Sequence, residues 1–395
     1  MTQRPLWGDC HVHSTRSDGC TPIRALTPSF EAFGLDFRIQ TDHWVIEVPA
    51  GRPAGRWLHA ADWAGYAAEC AAASTERHLC LAGLEIGWEA GGAGDWFDTK
   101  LYPRAGAASP DESFFAGKSW PQALRGLREA GHRVVVAHVD QGAPLSLLAG
   151  DEIDGLEVRW DIEETRPLPG RATLREWDRM LAAGRRVSLS SGSDAHQPDE
   201  WAGSSLRTVV LDTRREEEAI LESVAAGRSY LSGTRHPDVY GELGCPGHAN
   251  SVAGGSTRFT PWWDAGKVPG FGPGREAEFV RRGFDLALAR GRCRREDYPE
   301  LVEYRVGEAS CGGEVAPAAN VPVRVAWRTR VPASRLRLVA GGRVILECVP
   351  AGNALETSVD LRGAKSIRLE LEAGPPAESG PTEVILANPV YVVPR

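Results

Sequence analysis

Along roughly the first 235 residues, short apolar runs take turns with segments whose apolar positions recur every three or four residues. Runs near 6–9, 36–40, 79–84, 133–137, 155–159, 187–190 and 207–211 read as strands. The longer-period segments between them predict helices near 23–33, 61–76, 119–130, 173–183 and 215–226. Strand and helix in strict turn predict a parallel sheet, because parallel neighbours need a crossover connection. Seven such strands with polar motifs at one shared end predict a closed α/β barrel. Gly131 before the fourth strand and Gly184 before the sixth fit the ends of the preceding helices.

The pattern changes after about residue 236. The stretch 241–292 is rich in Gly and Pro, holds PWW and GFGPG, and contains one amphipathic piece, EAEFVRRGFDLALARG, at 276–291. From 302 onward, VPVRVAWRT, RLRLVAGGRVILECV, ETSVDL and SIRLELEA alternate apolar and polar residues between Gly or Pro turns, which predicts a small antiparallel β-sandwich. Its clearest hairpin is VAGGRV (339–344), where Gly341 and Gly342 suit positive φ. The expected organisation is a barrel over 1–237, a connecting segment over 238–300 with one helix, and a sandwich over 301–395. No internal repeat is evident.

Composition narrows the class. A chain of 395 residues with 42% hydrophobic residues can fill one large core and a second small one. A net charge of -8 offers no basic footprint for nucleic acid, and no apolar run approaches a membrane span. The chain reaches its first polar motif by residue 11, which leaves no room for a signal peptide, so the expectation is a soluble cytoplasmic protein whose partner is a small molecule. The oligomeric state stays open. Eight cysteines, at 10, 20, 70, 80, 245, 293, 311 and 348, form no CxxC pair and suggest neither a zinc knuckle nor a disulfide framework. Cys10 is expected on the strand face opposite His11, as core packing.

The chemistry lies in five clusters: GDCHVHSTRSDG (8–19), QTDHW (40–44), GLEIGW (83–88), VVVAHVDQG (134–142) and SSGSDAHQ (190–197). They carry His11, His13, Asp18, His43, Glu85, His138, Asp194 and His196. Any one alone has an ordinary reading: alternating histidines on a strand face, a turn, a helix cap, a solvated Glu. Together they place five of the ten histidines beside an acid or another histidine, near the carboxyl ends of expected strands. That layout aims imidazoles and carboxylates at one mouth, where they can hold two or three divalent ions. Nitrogen and oxygen donors without thiolate suit manganese, iron or zinc.

The ordered motifs HxHSxxSDG, TDH, GxE, AH and GSDAH resemble those of the polymerase-and-histidinol-phosphatase (PHP) superfamily of metal-dependent phosphoesterases, over about the first 235 residues. GRSYLSGTRHP (227–237) and LANPVYVV (386–393) are similar to its carbaryl-hydrolase-like branch, whose members carry a β-rich C-terminal part. The resemblance implies a distorted (β/α)7 barrel. It implies one ion on His11, His13, Glu85 and Asp194, another on Asp18, His43 and His196, and a third on His138 with Glu85 as bridge. One departure stands out: relatives usually supply a further histidine between the GxE and AH motifs, and residues 86–131 contain none. Asp95 or Asp98 of GAGDWFDTK can substitute as an oxygen ligand, and a two-metal site is the favoured reading.

Two bridged ions would generate hydroxide from a shared water, with Asp18 or His196 passing a proton to the leaving group. Cations on the ligand side are Arg16, Lys100, Arg104, Arg159 and Arg235; Trp44, Trp88, Trp96, Trp160 and Trp201 follow expected strands and form a candidate aromatic rim. Arg16, Trp44, Trp88, Arg159 and Arg235 are the substrate-contact candidates. Where the carbaryl-hydrolase-like branch often has V-W-N after the fifth strand, this chain reads LEVRWD (156–161). The leading expectation is a phosphoesterase for a small organic phosphate ester. The alternatives are a carboxyl-ester, carbamate or amide hydrolase with an aromatic substrate, and a non-catalytic metal- or carbohydrate-binding protein.

Overall fold

The computed structural model describes residues 4–17, 19, 21–44, 62–90, 95–104, 110, 112–115, 117–137, 139, 145, 148, 151–158, 171–196, 206–211, 214–234, 294–374 and 383–394; of 88–90, 95–97, 112–113 and 171–172 it describes the backbone only. The order in the first part is β1 (Leu6–Val12), α1 (Ile23–Ala32), β2 (Phe37–Gln40), β3 (His43–Trp44), α2 (Trp63–Ala72), β4 (Leu79–Ala82), β5 (Leu84–Ala90), β6 (Asp95–Pro103), α3 (Glu112–Phe115), α4 (Trp120–Glu129), β7 (His132–Val136), β8 (Gly155–Glu157), α5 (Arg171–Ala182), β9 (Ser188–Ser190), β10 (Leu206–Val210), α6 (Glu217–Ala225) and β11 (Ser229–Thr234).

The barrel wall follows from these pairings. β1, β2 and β4 run parallel, and the ladder continues past their ends as Gly83 N–H donates to Gln40 O at 2.7 Å and Glu85 N–H to Asp42 O at 3.2 Å. β3 pairs with β5, and β7, β8 and β9 are parallel again. The wall closes where residues 191–195 return to β1: Cys10 N–H donates to Ser191 O (3.3 Å), Asp194 N–H to His11 O (2.8 Å) and His13 N–H to Ala195 O (3.0 Å).

Two features correct the expected all-parallel barrel. β6, absent from the sequence reading, forms an antiparallel hairpin with β5 and pairs antiparallel with β7. The run expected as the seventh barrel strand, β10, lies antiparallel to β1 and β11 instead. Residues 91–94 join β5 directly to β6, too short a link for the crossover that a parallel neighbour requires.

The C-terminal part comprises β12 (Glu300–Val306), β13 (Glu314–Val315), β14 (Val321–Arg328), β15 (Ala333–Ala340), β16 (Arg343–Cys348), β17 (Ala354–Val359), β18 (Ser366–Ala373), β19 (Glu383–Ala387) and β20 (Val390–Val392). One sheet is β12-β14-β17, whose alternating Val321, Val323, Val325 and Trp327 face inward. The other is continuous with the barrel, because β19 pairs with β11 from Tyr230↔Ala387 to Thr234↔Glu383. One apolar core therefore joins Trp7 and Phe30 of the first part to Trp327, Leu338 and Ile385 of the second. Gly131, Gly184, Gly341 and Gly342 adopt φ of 92°, 82°, 56° and 75°, the left-handed conformation their turns require.

Asn388 couples the two parts most directly. Its buried amide accepts the Leu189 N–H at 2.6 Å and donates to Leu189 O and Ser229 Oγ, each at 2.9 Å, taking the place of a neighbouring strand beside β9. Asn388→Leu would leave the Leu189 peptide unpaired inside the protein. A buried unpaired polar group costs about 1–3 kcal/mol, so chemical denaturation is expected to show at least that loss. A change below about 0.5 kcal/mol, the size of an ordinary surface substitution, would contradict this role.

Candidate metal centre

The strand ends bring four donor atoms together: His11 Nε2, His13 Nε2, a Glu85 oxygen and an Asp194 oxygen. His11 Nε2 lies 3.1 Å from His13 Nε2, 3.1 Å from Glu85 Oε2 and 3.2 Å from Asp194 Oδ1; His13 Nε2 lies 3.1 Å from Glu85 Oε2 and 2.9 Å from Asp194 Oδ1. Four ligands at ordinary zinc bond lengths around one tetrahedral ion stand about 3.3 Å apart, so the donor spacing fits an ion closely. His43 Nδ1 sits 3.4 Å from the same Glu85 oxygen, and His13, His43 and His196 form a second potential group that shares His13.

A break in strand regularity creates this convergence. The β1–β2 register shifts between Asp9 and Val12, a bulge that re-aims the side chains that follow it. Cys10 packs inside the barrel with Ile39, Leu81, Tyr102 and Val135, while the next residue, His11, also turns to the interior. Cys10 is core packing as expected, but the bulge removes the expected opposition of faces.

Behind His11 stands a pair that sequence reasoning missed. His11 Nδ1 meets Glu157 Oε2 at 3.0 Å, and Lys100 Nζ donates to Glu157 Oε1 at 2.7 Å, all three groups being fully buried. Burial opposes the charge on Lys100, yet Glu157 outweighs it and holds the ammonium pKa above its ordinary value. An ionised Glu157 only accepts hydrogen bonds, so the proton of His11 belongs on Nδ1 and the lone pair of Nε2 faces the donor cluster. A carboxylate behind a ligating imidazole orients it and raises its basicity.

The charge balance of the cluster also suits a cation. Glu85 is completely buried and Asp194 nearly so, and burying carboxylates is costly without compensation. Burial by itself would lower the pKa of His13, but hydrogen bonds and charge from Asp194 and Glu85 raise it well above the usual histidine range. A proton on His13 and a metal ion answer the same excess of negative charge, so the donor chemistry fits a divalent ion.

Neighbouring residues hold the cluster's loops. Asp42 of the TDH motif accepts from Ser14 N–H (2.7 Å), Ser14 Oγ (2.8 Å), Ser17 Oγ (2.8 Å) and Gln40 Nε2 (3.1 Å), fixing the turn after His13. His196 donates from Nδ1 to Asp194 O at 2.9 Å and stacks on His13 with ring centroids 4.1 Å apart. Asp98 occupies the face of β6 that Lys100 shares, and its carbonyl accepts the Ala137 N–H at 2.9 Å, beside the strand end that leads to residue 138.

Asp18, His138, Arg159 and Arg235 lie outside the described residues, as do the side chains of Trp88 and Asp95. Trp44, expected on the rim, is 3% exposed and packed in the core between the wall and the helices, so its surface is committed to packing. Lys100, read as a possible substrate cation, is held by Glu157. Arg16 donates to Glu69 Oε2 at 2.6 Å at the surface. Among the described residues, no helix is long and apolar enough to cross a membrane.

No family model matches this chain, and no curated protein matches it. Among solved structures it is similar to a two-domain protein from Bacteroides vulgatus described as containing a PHP-like metal-dependent phosphoesterase, with 14% identity over 98% of this chain and 95% of that one and a TM-score of 0.42. It is also similar to a protein from Bifidobacterium adolescentis described as a metal-dependent phosphoesterase (16% identity, 48% of this chain, 87% of that one, TM-score 0.33). A third similarity is to an amidohydrolase from Chromobacterium violaceum with bound sulfate and no metal (15% identity, 49% of this chain, 89% of that one, TM-score 0.31). Similarities this distant carry no chemistry from those proteins to this one.

Two substitutions test the centre. Glu85 touches both histidines and His43, so Glu85→Ala is expected to abolish most metal retention on elemental analysis of purified protein. Glu157→Gln is expected to leave the ligands in place and weaken affinity by roughly 10- to 100-fold, the usual effect of removing such a supporting carboxylate. Wild-type affinity in Glu157→Gln would show that the orientation of His11 does not depend on it.

Proposed function

We propose that this protein is a metal-dependent hydrolase of the PHP type, acting on a small organic phosphate ester. The observation that carries the reading is the four-donor cluster formed by His11, His13, Glu85 and Asp194 at the barrel mouth. The order of motifs along the chain, similar to that of PHP phosphoesterases, supports phosphorus as the centre attacked. Manganese, iron or zinc would be held by these four residues, with Asp18, His43 and His196 as donors for a second ion and His138 with Glu85 for a third. When bound, such ions supply Lewis acidity toward the substrate oxygens and lower the pKa of a water.

The chain's own groups divide the remaining work. Glu157 and Lys100 keep the lone pair of His11 turned toward the centre. Asp42 fixes the turn that leads from His13 toward Asp18. His196, its Nδ1–H committed to the Asp194 carbonyl and its side chain 13% exposed, has Nε2 as its one ring position toward the mouth, which binds the second ion or, where that ion is not held by it, carries a proton. Asp18 is the other proton carrier proposed.

Charge supports a modestly charged substrate. Arg16 and Lys100, both substrate-cation candidates among the described residues, are each engaged by a carboxylate, Glu69 and Glu157. A sugar bisphosphate needs several cations directed at it, whereas a simple phosphate ester needs fewer.

The test is a substrate panel on protein loaded separately with Mn, Fe or Zn: an aryl phosphate, an aryl carboxyl ester and a sugar bisphosphate. The expected result is a kcat/KM for the aryl phosphate well above both others, abolished by Glu85→Ala. Preference for the ester would turn the reading to the carboxyl hydrolase. Turnover confined to the bisphosphate would refute the substrate class, and no turnover with any metal would refute hydrolysis.

A further inference from the structure

We propose that Asp9 is a positioning residue for the metal centre, acting through the backbone of two ligand-bearing segments, with Arg207 as its fixed counter-ion. The inference rests on the metal-centre reading above. His11 and Asp194 belong to segments far apart in the chain, and donor atoms must be held to within about 0.5 Å for a site to bind well. Their side chains alone do not fix that spacing, so the backbones beneath them must be held together.

One carboxylate does this. Asp9 Oδ1 accepts the N–H of His11 at 3.2 Å and the N–H of Ser193 at 2.9 Å, bridging the first ligand of β1 to the residue before Asp194. Its other oxygen accepts Arg207 NH1 at 2.7 Å, and both side chains are completely buried. The Arg207 guanidinium lies 5.9 Å from the ring centre of Tyr298, which in turn packs edge-on against Trp7. Tyr298, from the start of the C-terminal part, thus helps enclose the ion pair.

The strain at Asp194 shows what the grip is for. Asp194 has φ of 52°, a left-handed conformation that a non-glycine residue keeps only when its surroundings enforce it. On one side, Asp194 N–H and Ser193 Oγ donate to His11 O at 2.8 and 3.2 Å. On the other, Asp9 holds Ser193 N–H. Gly192 allows the approach, since a Cβ there would lie 2.3 Å from His11 N. A buried carboxylate with a fixed counter-ion is thus the pin between the backbones of two ligand-bearing segments.

The experiment removes native metal from the full-length protein, reloads it with Co2+, and records affinity and the visible absorption of the bound ion. Asp9→Asn cannot offer acceptors to Arg207 and to both amides at once. It is expected to keep the wild-type near-ultraviolet circular dichroism, to bind Co2+ about 10- to 100-fold more weakly, the range seen when supporting groups of metal sites are removed, and to shift the Co2+ bands. Arg207→Lys retains the charge and is expected to stay within a few-fold of wild type. If Asp9→Asn does not fold, Asp9→Asn with Arg207→Met, which leaves no lone buried charge, is expected to fold and show the same weakened, shifted Co2+ site. Wild-type affinity and bands in either folded Asp9 variant would overturn this proposal alone. Absence of Co2+ binding by wild-type protein would overturn the metal-centre reading with it.

Discussion

Negative charge concentrated at the mouth of the barrel is the constraint around which this structure is arranged. Glu85, Glu157 and Asp194 stand within hydrogen-bond distance of His11, and two of the three carboxylates are fully buried. Removing an ion from water costs several kcal/mol even after relaxation, so each needs an answer. Lys100 answers Glu157. Glu85 and Asp194 share the two Nε2 atoms of His11 and His13, an arrangement in which repulsion among lone pairs is relieved by a cation. The bulge in β1, the return of 191–195 to close the wall, and the left-handed Asp194 all serve to bring these groups to one point.

Much of this was legible in the sequence, for identifiable reasons. Periodicity located β1, β2, β4, β7 and β9 and the helices between them, because a wall buried on both sides needs apolar runs and its helices need an apolar stripe. The motifs that carry the converging donors His11, His13, Glu85 and Asp194 were legible because such residue types are rare in such company. β6 was missed because GDWFDTKLYP carries polar residues on the face that meets the barrel interior: Lys100 points inward to Glu157 instead of out to solvent. Glu157 was read as part of LEVRWD, since no local pattern announces a partner 146 residues away. The facing of Cys10 and His11 was misjudged because a bulge is an event between two strands, invisible in either alone. Trp44 looked like a rim residue only because it follows His43; the pairing of β3 with β5 carries it into the core.

The C-terminal part bears on the centre without supplying a donor among the described residues. β19 extends the sheet from β11, Asn388 completes the edge of β9, and Tyr298 packs over Arg207. β9 leads into residues 191–196, which carry Asp194 and His196. The sandwich thus braces the very wall whose end carries Asp194 and His196.

In the proposed reading, His11, His13, Glu85 and Asp194 hold one ion. Anomalous diffraction from crystals of the metal-loaded protein, collected on both sides of the metal's absorption edge, tests it most directly. The expected result is a strong difference peak between the two Nε2 atoms and the two carboxylates, at about 2.0–2.2 Å from each. A metal peak placed elsewhere in the molecule, with these four side chains still in mutual contact, would contradict it.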